Sequence, residues 1–309
     1  MTAFMQNLIP QTTSNGSNYS GLSNSNCFML LEQLGLISVS GDDAQVYLQS
    51  LLSNDIKLLN INDSQYSSLC TPKGRLLAFF LIIRADENTY QLILPHGLCE
   101  AIKMRLTMYI LRSKVTVTNV SENFTCIGLT QNKPNLSSSS SYHILPSIFH
   151  RGIIISHTSK VEAFCSSFIQ QHYQPMSPSY WEWLDITSGI AKIELKTQEK
   201  FTPQQLNLDI TKAVNFQKGC YPGQEVVARL HYLGKASRRL FTAKANTTVL
   251  PEAGSEVKTN EGQVAGHIVS SQQQGQEGLV CLVSLKLSCY ESSLLIDQTP
   301  IYLTSGLVD

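Results

Sequence analysis

The sequence predicts an α+β fold that ends in an all-β module. Three observations lead there. Between residues 27 and 233, short apolar runs with strand character alternate with segments whose apolar residues recur at helical spacing. After Arg238 the helical spacing stops, and short strands follow one another between Gly, Asn, Asp, Pro and Ser clusters. No internal repeat is visible, which leaves a non-solenoid domain architecture. The division that follows is a mobile N-terminal segment at 1–26, a first αβ unit at 27–120, a second at 121–237 and a C-terminal antiparallel β-barrel at 238–309.

Residues 1–26 are rich in Ser, Asn and Thr and offer little to bury, hence the expectation of mobility. Strands are expected at 27–31 and 36–39. Gly41-Asp42-Asp43 then caps a helix whose Ala44, Tyr47, Leu48, Leu51 and Leu52 share one face. The runs 66–71 and 76–84, joined by Pro72-Lys73-Gly74, make a hairpin. A strand at 90–94, a helix at 97–112 and a strand at 114–120 complete the first unit. The second unit opens with a strand at 124–129 and a low-complexity Ser-rich loop at 132–141. A strand at 153–156 follows, then a helix with Val161, Phe164, Cys165, Phe168 and Ile169 on one face, broken by Pro175 and Pro178. A Trp-rich helix runs from Ser179 to near Gly189. The barrel strands are expected at 240–245, 256–258, 264–270, 279–285 and 301–304.

Composition narrows the function. Lys+Arg and Asp+Glu are both 23, so the net charge is +0. General polyanion binding, which rests on clustered positive charge, is not expected, and neither is direct nucleic-acid binding. Residues 212–239 do hold Lys212, Lys218, Arg229, Lys235, Arg238 and Arg239 against Glu225 alone. That local patch reads first as a solvated face and second as a receiver for a carboxylate tail. No window approaches the ~18 apolar residues of a membrane span. The N-terminal stretch has no basic residue and no long apolar run, so neither a secretory nor a transit signal is expected. Eight cysteines stand at 27, 70, 99, 126, 165, 220, 281 and 289, with no C-x-x-C pair and no interleaved His. No metal site is expected from this chain alone, and the scatter suits a reducing cytoplasm.

One cysteine differs from the rest. Cys220 lies among turn residues in Lys218-Gly219-Cys220-Tyr221-Pro222-Gly223-Gln224-Glu225, not inside an apolar run. A helix is expected at 224–233, with Val226, Val227 and Leu230 on one face and Glu225 and Arg229 four apart on the other. A helix N-terminus ahead and Lys218 two residues back would both favour the thiolate. Lys218 and Arg229 are the candidate anion partners. Gly219 and Gly223 would supply special backbone conformations or close approach to a ligand. Gln224 and Glu225 would cap the helix or accept from a ligand. Against each stands a plainer reading: surface cations, ordinary turn glycines, a helix cap. Lone histidines such as His231 and His267 read as satisfied or exposed. Trp181 and Trp183 read as core or cleft wall.

The stretch 218–225 resembles the K-G-C-[FY]-x-G-Q-E signature of the YgfZ family, relatives of the glycine cleavage T-protein (aminomethyltransferase). Phe201-Thr202-Pro203-Gln204, Arg238-Arg239-Leu240 and, more weakly, residues 35–84 extend the likeness. The resemblance implies a T-protein-like fold of two αβ units around a central channel plus the barrel. It implies a tetrahydrofolate or derivative as cofactor, and support of iron–sulfur clusters in client or assembly proteins, including tRNA-modifying enzymes. It marks Cys220 as the functional thiol, whether as nucleophile, redox thiol or cluster contact. It places Lys218, Gly219, Tyr221, Gly223, Gln224, Glu225 and Arg229 at the folate site, with Lys73 and Gly74 of the hairpin turn beside the channel.

The chain departs from the T-protein pattern twice. After the hairpin turn the T-protein has an Asp pair, where this chain reads Leu76-Leu77-Ala78-Phe79-Phe80. Without a carboxylate there, nothing obvious relays the proton that aminomethyl transfer requires, so enzymatic activity is left open. The family's pterin-pairing Glu falls near Thr187, with Asp185 or Glu182 as substitutes. An aminomethyl or one-carbon transferase and a non-catalytic docking scaffold are therefore the alternatives.

Overall fold

The structure, a computed structural model, describes residues 19–22, 25–135, 142–145, 150–234, 236–276 and 278–306. Most of the expected mobile lead-in, the core of the Ser-rich loop at 136–141 and Lys235 lie outside the described residues. Five helices and sixteen strands are described, and they form two compact units.

The first unit comprises residues up to 47, 57–65 and 80–184. It contains a five-stranded sheet of β1 (Cys27–Leu30), β7 (Phe124–Thr130), β8 (Tyr142–Ile144), β9 (Arg151–His157) and β10 (Gln174–Pro175), in the order β10-β1-β7-β9-β8. The apolar stripe of α3 (Val161–Gln170) packs on it, through Val161, Cys165 and Phe168 against Phe28, Leu30, Ile127, Leu129 and Ile154. Side chains alternate along a strand, so Gly128 faces away from Ile127 and Leu129. A Cβ on Gly128 would come within 2.5 Å of the Trp181 ring. Trp181 and Trp183 come from α4 (Pro178–Thr187) and are buried, as the core reading expected. Arg151, fully buried, lies over Trp181 at 4.7 Å. Tyr19 is 2% exposed and packs against Tyr180 and Trp183. This anchor corrects the sequence reading, which found little to bury before Cys27.

The second sheet has the order β3-β4-β5-β2-β6, from β2 (Leu34–Ser40), β3 (Ser64–Cys70), β4 (Leu76–Arg84), β5 (Thr89–Pro95) and β6 (Thr116–Asn119). Strands β3 and β4 contribute residues to both units. Two helices of this region also differ in length from each other and from expectation: α1 is Ala44–Leu51 and α2 is Cys99–Thr107. The helix expected at 97–112 ends at Thr107, where the bonds tighten to Tyr109→Leu106 and Ile110→Thr107, and the left-handed backbone of Leu111 (φ 46°) bars any continuation to 112.

The second unit comprises residues 48–56, 66–79 and 185–309. Its barrel is closed by β11 (Arg238–Ala245), β12 (Glu256–Thr259), β13 (Val264–Gln274), β14 (Gly278–Lys286), β15 (Leu294–Ile296) and β16 (Thr299–Gly306). Closure runs through β11, which pairs with β14 (Ala245↔Leu279) and with β16 (Ala245↔Ile301). Phe241, Val257, Ile268, Val283, Leu285 and Leu294 fill its interior. Strand β15 was not foreseen: three apolar residues carry no alternation to read. The helix expected after the signature is α5 (Gln224–Tyr232). Among the described residues no helix is long and apolar enough to cross a membrane.

Gly128→Ala should force the Trp181 ring out of its seat and destabilise the protein by about 1–3 kcal/mol. Urea unfolding measures it, and an unchanged midpoint would show that the sheet and ring relax at no cost.

Candidate functional site

The chain from Asn215 to Gln224 has almost no regular structure, so its shape must come from side chains. Asn215 starts it. Its Oδ1 accepts from the backbone N–H of Gln217 (2.8 Å) and of Lys218 (3.1 Å), and its own N–H reaches Ser53 O at 2.9 Å. Lys218 follows, 7% exposed. Its ammonium donates to the carbonyls of Gln49 (2.6 Å), Leu52 and Asn54 (3.2 Å). Gln49 and Leu52 offer orphan acceptors at the C-terminal end of α1, where a cation is doubly suited, and Asn54 lies just past it. An ammonium has three donors, and all three are used. The Tyr221 ring lies 5.3 Å from the same nitrogen. Burial holds the Lys218 pKa down to about 8, against a smaller opposing pull from Asp55.

This placement bears on the expectation that Lys218 would meet an anionic ligand: all three of its donors are taken by protein carbonyls, which leaves none for a ligand. Its charge is directed into protein carbonyls. Gly219 also differs from expectation: it is exposed, a Cβ there would meet nothing within 4 Å, and its φ is not positive. Gly223 does need to be glycine. Its φ is 83°, and a Cβ would lie 2.4 Å from Thr71 O and 2.8 Å from Gly74. Gly74, itself at φ 69°, meets the side chain of Val226 on α5. The hairpin turn and the signature turn therefore touch, glycine against glycine. That brings Lys73 and Gly74 beside the start of α5, as the sequence grouping required.

Tyr221 is 6% exposed, and burial pushes its phenol up. Its Oη is buried with no hydrogen-bond partner among the described residues. Gln224 closes the turn by donating to Lys218 O at 3.3 Å. Glu225 and Arg229 are exposed on α5, and no ion pair joins them among the described residues, which corrects the expected i,i+4 pair. Lys73 is likewise exposed.

Cys220 sits at the outer bend of this anchored turn. It is exposed, and the other seven cysteines are buried. Burial pushes the thiols of Cys70, Cys126 and Cys281 up to about 12 and that of Cys165 to about 11, which keeps them protonated and unreactive at neutral pH.

The flanking motifs hold the turn from behind. Pro203–Leu206 is a 3-10 turn with a Thr202/Gln205 capping box. Buried Gln204 donates to Val227 O of α5 at 2.7 Å. Asn207 pairs both ways with the Leu240 backbone of β11, donating at 2.9 Å and accepting at 3.2 Å. Arg239 grips Asp209 at 2.8 and 2.9 Å and Gln204 O at 3.1 Å. Of the basic patch, Lys218 and Arg239 are thus committed internally. Lys212 and Arg229 are exposed and Arg238 is half-buried. His231 is exposed and stacks on Phe216, ring centroids 3.7 Å apart. Among the described residues no group of three or more His, Cys, Asp or Glu is placed to hold a metal.

The sequence reading missed Gln49, Leu52, Ser53, Asn54 and Asn215. Asn215, three residues ahead of Lys218, was a readable turn signal. The α1 carbonyls had no signal, since backbone acceptors are not written in side chains.

Known proteins fit this picture. The GCVT N-terminal domain family matches residues 22–131. An uncharacterized protein of Haemophilus influenzae is 33% identical over 242 residues, 75% of this chain and 78% of its own. The tRNA-modifying protein YgfZ of Hamiltonella defensa is 28% identical over 81% of this chain and 80% of its own, and that of Blochmanniella pennsylvanica 26% identical over 87% and 89%. The chain belongs to the YgfZ family. Its fold is that of the glycine cleavage system aminomethyltransferase T from Bartonella henselae, with a TM-score of 0.72 at 16% identity over 91% of this chain and 86% of that one. In this YgfZ-family chain the signature is a glycine-tight, lysine-plugged turn that displays one thiol.

Gly223→Ala should cost about 1–3 kcal/mol or more, since it combines backbone strain with a steric clash. Lys218→Met should cost a similar amount by leaving buried carbonyls unpaired. The Lys218 pKa is lower folded than its ordinary 10.5. The unfolded chain therefore binds more protons between about pH 8 and 10.5, and this group's contribution to stability rises with pH across that window. Denaturant unfolding of the two proteins at pH 7.5 and 9.5 should show the wild-type advantage widening; a constant gap would refute the buried-cation account.

Proposed function

We propose that this chain is a folate-binding accessory protein that supports iron–sulfur clusters in client enzymes, tRNA-modifying ones among them, with Cys220 as the working thiol. The observation that carries the proposal is the display of Cys220: one exposed thiol on a turn that the protein holds at three points, with every other cysteine buried. The relatives named tRNA-modifying proteins support the client class. The likeness to the aminomethyltransferase fold supports a folate.

The residues of the second unit suit such a ligand in part. Lys73 and Arg229 are exposed cations without an ion pair among the described residues, suited to the carboxylates of a folate tail. Tyr221 Oη is a buried hydroxyl lacking the partner that a heterocycle's polar edge would supply. Gln224 and Glu225 stand at the same turn, and Gly223 and Gly74 shape it. Lys218 and Gly219 act through the turn, not on the ligand. Bound there, a reduced folate would supply one-carbon or redox chemistry.

A true aminomethyltransferase is the weaker reading. Strand β4 is apolar from Leu76 to Ile83 and buried throughout, so it presents no carboxylate to relay a proton.

Two measurements test the proposal. Iodoacetamide on the native reduced protein should modify Cys220 alone, with the other seven reacting only after unfolding; a second native site would break the argument from exposure. In cells lacking their own copy, the wild-type chain should restore client iron–sulfur enzyme activity and Cys220→Ser should not. Full restoration by the serine variant would remove the thiol from the mechanism.

A further inference from the structure

Helix α5 carries more apolar surface on its outside than its fold requires. Tyr232 is 63% exposed and Leu233 84% exposed. Beside them the His231 ring lies flat on Phe216, 8° from parallel, with Tyr232 edge-on to both rings. The stack sets the orientation of the His231 ring against Phe216 and Tyr232. The buried side of the helix is a separate surface: Val227 is fully buried and its carbonyl accepts from Gln204.

Two further facts give this face a polarity and an address. Arg229 lies one turn before Tyr232 and Leu233, on the same side of the helix. Arg229 is exposed and has no ion pair among the described residues, whereas Lys218 and Arg239 are paired internally. The address comes from Phe216. It is four residues before Cys220 on the anchored turn, and four residues extend at most about 14 Å. The thiol is thus within one side-chain pair's reach of the aromatic face.

We propose that this face is the docking surface for the client: an acidic protein segment bearing aliphatic or aromatic side chains, which lies along Arg229, Tyr232, Leu233 and the His231–Phe216 stack, close to Cys220. The inference deepens the reading of Cys220 as the working thiol and rests on it for the purpose of docking, though not for the docking itself. Charge complementarity selects the acidic sign, and the exposed rings and Leu233 select the apolar content.

The test uses thiol–disulfide exchange on the full reduced chain. A short peptide of Glu and Leu carries an activated pyridyl disulfide at one end. The Cys220 thiolate attacks the peptide sulfur, the peptide–pyridyl S–S bond breaks, a mixed disulfide forms, and pyridine-2-thione leaves and is followed by its absorbance. Its Lys and Leu counterpart and a small uncharged pyridyl disulfide are run beside it. The acidic peptide should react at least about tenfold faster than the small reagent, saturate with concentration and slow with added salt. The double variant Tyr232→Ser with Leu233→Ser should lose that advantage while keeping the small-reagent rate, which reports the thiol alone.

Equal rates for both peptides, or an advantage unchanged in the double variant, would overturn the proposal. So would full competition by oligouridylate, which would make the face a nucleic-acid site. Sedimentation showing a dimer that the double variant abolishes would make it a contact between copies, and would also overturn it. Failure of the functional reading looks different: Cys220→Ser would then sustain client activity in cells whatever the peptides do.

Discussion

The ammonium of Lys218, sunk among the carbonyls of Gln49, Leu52 and Asn54, is the contact on which the signature turn depends. It solves two problems at once. The end of α1 leaves carbonyls without partners, and the chain before α5 has no ladder or helix to hold it. One side chain from the second fills the first, across more than 160 residues of sequence. A cation is the right plug because a helix C-terminus is electronegative, and lysine is the right cation because a single nitrogen with three donors matches three converging acceptors. An arginine fork is planar and would not converge on one point. The cost is a buried charge, visible in the lowered pKa.

Around that plug the remaining contacts are steric. Gly223 and Gly74 meet with no room for a Cβ, so the hairpin turn and the start of α5 are held at backbone contact distance. Asn215 shapes the entrance to the turn, and Gln224 ties its exit back to Lys218. Between these points Gly219 has open space where a Cβ would stand, and Cys220 is exposed. A thiol placed this way is positioned by its neighbours' backbone while its own side chain remains open to solvent. That is the arrangement expected of a group that must meet something arriving from outside.

Much of this was legible in the sequence, and the misses share a cause. The helices at 44, 161 and 224 announced themselves by apolar spacing, and the apolar block Leu76–Arg84 was a strand to the residue. Cys220 stood out because turn residues surrounded it, and exposure agrees. Gly223 was singled out for backbone reasons, and its φ of 83° supplies them. What the sequence could not convey is where a charge goes. Lys218, Arg229 and Glu225 looked alike as surface ions. In the structure Lys218 is swallowed by backbone carbonyls more than 160 residues away in sequence, while Glu225 and Arg229 stay exposed on α5. Short strands such as Leu294–Ile296 were missed because register, not pattern, makes them strands.

Helix α5 brings the two themes together. Its inner side is fixed by Val227, by Gln204 and by the glycine contact at its start, while its outer side is left with rings, a leucine and an arginine that the fold does not use. The helix and its C-terminal Leu233 thus keep anchoring and display on different sides. The anchored side sets where Cys220 stands, and the displayed side is free to vary in what it recognises. A thiol that is to meet a macromolecular partner gains from that separation: it stays in register with the fold while the neighbouring surface is left open. Strand β4 follows the same division on a larger scale, since its apolar residues from Leu76 to Ile83 are all buried and the turn before it is what the fold displays.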